Sequence, residues 1–174
     1  RPHYIKGYAY ALQALAQLKE QGINFTYTLV GGTNEEFTYL VQQYQLTAQV
    51  TILGKLSISQ VKAYYTQSDV LLLPSVSEGV ANVAIEAMAV GLPVISANVG
   101  GMPELITHRA TGFLFESRNP LSLKKVIETF LSLSPQQIKL LIESARLKIA
   151  HTFTEEKMVL DMVQFYRSVL TKTV

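Results

Sequence analysis

Glu78 and Glu86 stand eight positions apart in the segment SEGVANVAIEAMAVGLPVIS, residues 77–96. The second acid interrupts an otherwise apolar run, with Val83, Ala84 and Ile85 before it and Ala87, Met88, Ala89 and Val90 after it. An ionised carboxylate withdrawn from water is costly unless something pairs with it. No lysine or arginine occurs between Lys62 and Arg109, so the partner must come from elsewhere in the fold or from a ligand. A carboxylate near a helix start is well placed to accept two hydrogen bonds from a vicinal diol, such as a ribose offers. A helix starting at Asn82 would turn free N–H groups and a positive dipole end toward a phosphate. Gly79, with the small Ala81 nearby, would let that phosphate come close to the backbone. Together these features describe a site for a nucleoside diphosphate carrying a further group, which Glu78, on the loop before the helix, could touch. A plainer reading stays open: Glu86 caps a backbone N–H or reaches solvent at the helix edge.

The surrounding elements must hold these residues in place. Residues 6–21 read as one helix, with Tyr8, Ala11, Leu12, Leu15 and Leu18 at helical spacing and Gly22 as its stop. NFTYTLVGG reads as a strand ending in a glycine turn. Asn34 is placed to cap the helix EEFTYLVQQYQL, whose first turn carries two acids. QVTILG is a strand, and Ser57 or Ser59 opens a helix through Tyr64 and Tyr65. DVLLLPS, almost continuously apolar, reads as a strand covered on both faces. A helix from Asn82 to Val90 closes on Gly91 and leads into the strand LPVIS. The turn NVGGMPE follows, with Pro103 in a first helical turn, then the short strand TGFLF. After Asn119-Pro120 the pattern is helical, with breaks at Pro135 and Thr154. Strands alternating with helices predict an α/β fold, a doubly wound parallel sheet with a helical C-terminus. Ligands of such sheets bind outside the carboxyl ends of the strands, the edge to which Glu78 and the start of the Glu86 helix belong.

Composition excludes several classes. The 174 residues suit one domain; 48% are hydrophobic and 16% charged, enough for a sizeable core. A formal net charge of +2 without clustered bases gives no reason to expect nucleic acid. The absence of cysteine excludes a disulfide framework, a thiolate zinc site and a cysteine nucleophile. No apolar run approaches the ~18 residues of a membrane span, and no signal-peptide architecture is present. The opening on Arg1-Pro2 without methionine leads us to expect a piece of a longer protein. His3, His108 and His151 lie far apart with no metal-ligand spacing, and no Asp-x-Asp motif occurs. Ser75 and Ser77 lack a nucleophile-elbow context, and Val30-Gly31-Gly32 is too short for a phosphate-loop fingerprint. The nine tyrosines fall mostly at core-facing helical spacings.

The stretch PSVSEGVANVAIEAMAVGLPVISANVGGMPELI resembles the donor-binding segment of the retaining GT-B glycosyltransferases of family 4. The pattern comprises Pro74-Ser75, Glu78 with Glu86, Glu86-Ala87-Met88-Ala89, Gly91, Pro93-Val94, Gly100-Gly101 and Glu104. TGFLF matches the strand that follows, and FTEEKMVLDMVQFYRSVL resembles the closing helix. The resemblance implies a Rossmann-like half of a GT-B fold, with residues 1–174 forming the C-terminal donor-binding domain. It implies that the first strand, which should precede Arg1, and the N-terminal acceptor domain are absent. Arg1 and Lys6, the latter followed by Gly7, would face the donor pyrophosphate and stabilise its charge as it leaves. Glu86 would bind the ribose hydroxyls and Glu78 the transferred sugar. The backbone of Val80, Ala81, Asn82 and Val83, with Gly79, would hold sugar and phosphates. Gly54, Lys55 and Leu56 would line the base. The family commonly has an aromatic residue where Val80 stands and glycine or proline where Ala81 stands, which bears on sugar preference.

The implied reaction is transfer of a sugar from a nucleotide diphosphate sugar to an acceptor with retention, without metal or other cofactor. The acceptor, a sugar, lipid-linked sugar or polysaccharide, would bind through the absent domain, and the piece alone should be inactive. A cytoplasmic location, membrane-peripheral in the full-length protein, goes with this reading. The wide apolar face of the last helix leads us to expect self-association. The alternatives are a non-catalytic nucleotide-sugar-binding module and a GT-B-fold epimerase; a phosphorylase would carry a cofactor-lysine motif, and none is seen.

Overall fold

The strand and helix signals resolve into βα units in a computed structural model that describes residues 4–32 and 34–170. A short 3-10 turn, Tyr4–Lys6, precedes α1 (Tyr8–Glu20), β1 (Tyr27–Val30), α2 (Glu35–Gln43) and β2 (Val50–Leu53). Then come α3 (Ile58–Gln67), β3 (Leu71–Leu73), α4 (Asn82–Val90), β4 (Val94–Ala97), α5 (Met102–Leu105) and β5 (Phe113–Phe115). Three helices end the described chain: α6 (Pro120–Leu131), α7 (Pro135–Thr152) and α8 (Glu155–Leu170). The predicted caps are present: Asn34 accepts from the Phe37 N–H, and Ser57, not Ser59, caps α3 in a reciprocal box with Gln60.

All strand pairs are parallel, as expected for a Rossmann-like half-domain. The strands form two hydrogen-bonded groups, β1–β2 and β3–β4–β5. Helix α1 joins them. Its Leu12, Leu15 and Leu18 pack with Leu29 of β1 and Phe37 and Val41 of α2. Its Ala11 and Ala14 pack with Ile95 and Ala97 of β4 and Phe113 and Phe115 of β5. Strand β4 is buried throughout, and its side chains alternate between layers. Val94 joins a cluster with Ala84, Ala87 and Met88 of α4 and Ala145 and Ile149 of α7, while Ile95 and Ala97 face α1 and α6.

Two expectations need correction. The leucines of β3 are only half-buried, so the strand covered on both faces is β4, which has a bonded neighbour on each side. The first helix does not begin at residue 6: the chain breaks at Gly7, whose φ of 66° ends the 3-10 turn before α1. The core-facing spacing of the tyrosines is met in part: Tyr8, Tyr27, Tyr44 and Tyr65 pack against the clusters, while Tyr4, Tyr39 and Tyr166 are exposed.

Candidate functional site

Gly7 brings the N-terminal turn to the loop after β3. A Cβ at this position would overlap the Pro74 carbonyl oxygen, and its left-handed backbone is one that glycine adopts freely. The Val76 N–H donates to the Ile5 carbonyl at 2.7 Å, which fastens turn and loop together. The fastening brings together two side chains 72 apart in sequence: Lys6 Nζ lies 2.7 Å from Glu78 Oε2. The hydroxyl of Ser75, itself buried, donates to the same oxygen at 3.0 Å. The side chains of Lys6 and Glu78 are 43% and 22% exposed. An ion pair this open contributes little to stability, so its significance lies in where it puts the two groups. The neighbouring Tyr8 hydroxyl has its pKa raised, first by burial and then by the Glu78 charge, so it stays a donor at neutral pH.

The glycine pair of NVGGMPE supports this loop from beneath. A Cβ on Gly100, at φ 53°, would overlap the Glu78 carbonyl oxygen, and one on Gly101 would press on the Val80 side chain. Gly79 and Val80 are thereby held at the surface ahead of α4. The buried Ala81 occupies the N-cap and provides no side-chain bond, and Asn82 and Val83 are exposed. The other end of α4 is well fixed. Gly91 is left-handed at φ 90°, and Arg146 of α7 donates to the Val90 carbonyl at 2.6 Å. The helix is therefore anchored at its C-terminus and open at its N-terminus, where a dipole favours an anion.

Glu86 departs from the expectation of a withdrawn carboxylate: it is exposed. Helix α4 buries Ala84, Ala87 and Met88, and Glu86 lies off that face. The apolar residues beside it concealed this, because several of them, Val83, Ala89 and Val90, are themselves exposed. Its partner is neutral: the Tyr65 hydroxyl of α3 donates to Glu86 Oε2 at 3.1 Å. Burial, then the adjacent Glu86 charge and the hydrogen bond to it, push the Tyr65 phenol up to about 12.

Gly54, Lys55 and Leu56 follow β2. The Gly54 carbonyl accepts from the Gly31 N–H at 3.2 Å, so this loop is tied to the glycine turn after β1. Lys55 points into solvent, and no side-chain hydrogen bond among the described residues joins this loop to Glu78 or Glu86. Arg1 and His3 lie outside the described residues. No group of three or more histidine, aspartate and glutamate side chains converges among the described residues. A cleft of about 430 Å³ is lined by Gly7, Tyr8, Asn34, Phe37, Val76 and Arg118, among others, so the carboxyl ends of β1, β3 and β5 meet there. Lys6, Glu78 and Glu86 do not line it.

The sequence reading missed Tyr65 as the Glu86 partner and the Ile5–Val76 fastening. Neither left a signal, since both are contacts between distant segments. Ser75 was visible within the motif, but only as a nucleophile to set aside.

Comparison with known proteins places this arrangement. The family model "Glycosyl transferases group 1" matches residues 1–148. The chain is 35% identical over 159 residues to WcaL of Escherichia coli K12, a glycosyltransferase provisionally assigned to colanic acid biosynthesis; the match takes in 87% of this chain and 39% of that protein. The chain thus spans about two fifths of the length of that curated relative. Among solved structures, sucrose-phosphate synthase from Thermosynechococcus elongatus superposes with a TM-score of 0.83 at 29% identity, over 98% of this chain and 44% of that one. Anabaena HepE in complex with UDP-glucose superposes with a TM-score of 0.82 at 25% identity, over 97% of this chain and 47% of that one. The parallel α/β frame is therefore shared architecture, and the chain belongs to the group 1 glycosyl transferases, as a Rossmann-like half of the GT-B fold.

Proposed function

We propose that this chain is the donor-binding half of a retaining glycosyltransferase that moves a sugar from a nucleoside diphosphate sugar to an acceptor. The single observation that carries the reading is the Lys6–Glu78 pair, seated beside the uncapped start of α4. A cation and a carboxylate held 2.7 Å apart are matched to the two parts of such a donor. Lys6, with Arg1, neutralises the pyrophosphate, which is electrostatic stabilisation of a leaving group. Glu78 accepts from hydroxyls of the transferred sugar. Gly79, Val80, Ala81, Asn82 and Val83 offer backbone N–H groups to sugar and phosphates. Glu86 takes the ribose diol, and Gly54, Lys55 and Leu56 line the base. In the unliganded protein Lys6 and Glu78 satisfy each other, and the donor replaces that contact with one to each. Two cationic groups on the pyrophosphate make a divalent metal unnecessary.

The rest of the protein completes this half. A strand preceding Arg1 lies between β1 and β3, which the separation of the two strand groups under α1 and the half-burial of β3 both support. An N-terminal domain supplies the acceptor site, for a sugar, lipid-linked sugar or polysaccharide, and the isolated chain transfers nothing. Among the described residues no helix is long and apolar enough to cross a membrane; a cytoplasmic enzyme, peripheral to the membrane in its full length, fits this reading.

Calorimetry of the chain with UDP-, GDP-, ADP- and dTDP-sugars tests the assignment. One of them is expected to bind, equally well with a chelator present, and Glu86→Ala is expected to weaken it by ~1–3 kcal/mol. Binding that disappears in chelator, or that ignores the Glu86 substitution, would show the site to be misassigned.

A further inference from the structure

We infer that Tyr65 is a positioning residue for Glu86, and that its hydroxyl sets the discrimination between ribose and deoxyribose in the bound nucleotide. The inference rests on the ribose role proposed for Glu86.

Glu86 is exposed on α4, and a free glutamate there would sample many rotamers, all of which a ligand would have to freeze. Tyr65 removes much of that freedom. Its ring is half-buried against the cluster that contains Ala84, Ala87 and Met88, so the phenol is fixed by packing, not by the hydrogen bond. From that anchored ring the hydroxyl donates to Glu86 Oε2 at 3.1 Å. Among the described residues no partner is seen for Oε1. One oxygen is thus held by the protein and the other is left to accept from a hydroxyl. Glu78 is held likewise through one oxygen: the hydroxyl of the buried Ser75 donates to its Oε2, a contact that remains when Lys6 turns to the donor. The two carboxylates assigned to the donor are thus each tethered through one oxygen by a hydroxyl. The Tyr65 bond also joins α3 to α4, so the carboxylate is positioned relative to both helices. Because the phenol pKa stands at about 12, the hydroxyl remains a donor throughout the working range.

A purely structural role would make Tyr65 a staple whose loss lowers stability and touches all ligands alike. A positioning role predicts a selective loss. The test is titration of UDP, GDP and ADP, each against its 2′-deoxy counterpart, into the wild-type chain, Tyr65→Phe, Glu86→Ala and the double variant. Phenylalanine keeps the ring and its packing and removes only the hydroxyl. Wild type is expected to prefer the ribonucleotide. Tyr65→Phe should weaken that nucleotide about 3- to 10-fold, weaken the deoxy form, which keeps only the 3′ hydroxyl, by less, and add no further loss on Glu86→Ala. A Tyr65→Phe variant that keeps the wild-type ribo-to-deoxy ratio, while Glu86→Ala loses it, would overturn the inference and leave the Glu86 role standing. A ratio unchanged in Glu86→Ala would overturn the ribose assignment beneath it.

Discussion

At the scale of single residues, the site is built from contacts that satisfy charged groups without fully burying them. Lys6 and Glu78 are both partly open to water, so neither carries the desolvation cost of a deep ion pair. A ligand can therefore compete for each at modest cost. Lys6→Met is expected to weaken binding of the preferred nucleoside diphosphate by ~1–3 kcal/mol, the range for hydrogen bonds to charged groups, and to leave the affinity of the parent nucleoside unchanged. Comparing the two by calorimetry checks this, because an indirect effect through the fold would lower both. Gly7 makes a different demand. Alanine there would meet the Pro74 carbonyl in a left-handed backbone, at an expected cost of ~2–4 kcal/mol. Urea unfolding of Gly7→Ala should show that loss, and donor binding should fall with it as the Lys6 turn leaves the Glu78 loop.

At the scale of elements, the loops at the carboxyl edge are held by short polar ties. The turn before β5, at the opposite, amino edge of the sheet, is held in the same way. The Leu114 N–H donates to His108 Nδ1 at 3.0 Å, and the His108 ring stands edge-to-face with Phe113. Burial, then the neighbouring Arg109 charge, lower the His108 pKa below its ordinary 6.5. The unfolded chain therefore takes up this proton at a higher pH than the folded one does. Stability is complete above pH 6.5 and is lost as pH falls through that value toward the lowered folded one. Melting temperatures between pH 7.5 and 5 should decline less steeply in His108→Gln than in wild type. Parallel slopes for the two proteins would exclude His108 as the source. Helix α4 is tied at one end: Gly91 and Arg146 make a firm C-terminus, while the N-terminus has no side-chain cap.

At the scale of the whole molecule, α8 stands out. Each of its side chains is exposed, including Phe165 at 62% and Tyr166 at 59%. Apolar surface of this extent on a single helix favours association. Light scattering is expected to show concentration-dependent self-association of the chain, and Phe165→Glu with Tyr166→Glu should abolish it. A monodisperse monomer across the concentration range would remove the prediction.

Periodicity and capping chemistry were sufficient for the frame. Alternating short apolar strands and helices, the Asn34 and Ser57 caps, and Gly91 after Val90 located most elements, because these signals act between residues a few positions apart. The motif from Pro74 to Glu104 likewise singled out the two carboxylates proposed for the donor, since a site built on one strand–loop–helix unit keeps its spacing in the sequence. What joins distant segments was decided by tertiary structure. The break at Gly7 depends on the Pro74 carbonyl, and the glycine pair at 100–101 depends on the loop it supports. Lys6 reaches Glu78 only because the Ile5–Val76 bond brings turn and loop together. Glu86 was read as withdrawn because its neighbours are apolar. Whether an apolar residue on a nine-residue helix is covered depends on which helices lie against it, and here α4 is fully covered on the face of Ala84, Ala87 and Met88 and only partly at Ile85. Local sequence determines where a helix starts and stops; the packing of other elements determines which side faces water and which neighbour, such as Tyr65, meets a carboxylate there.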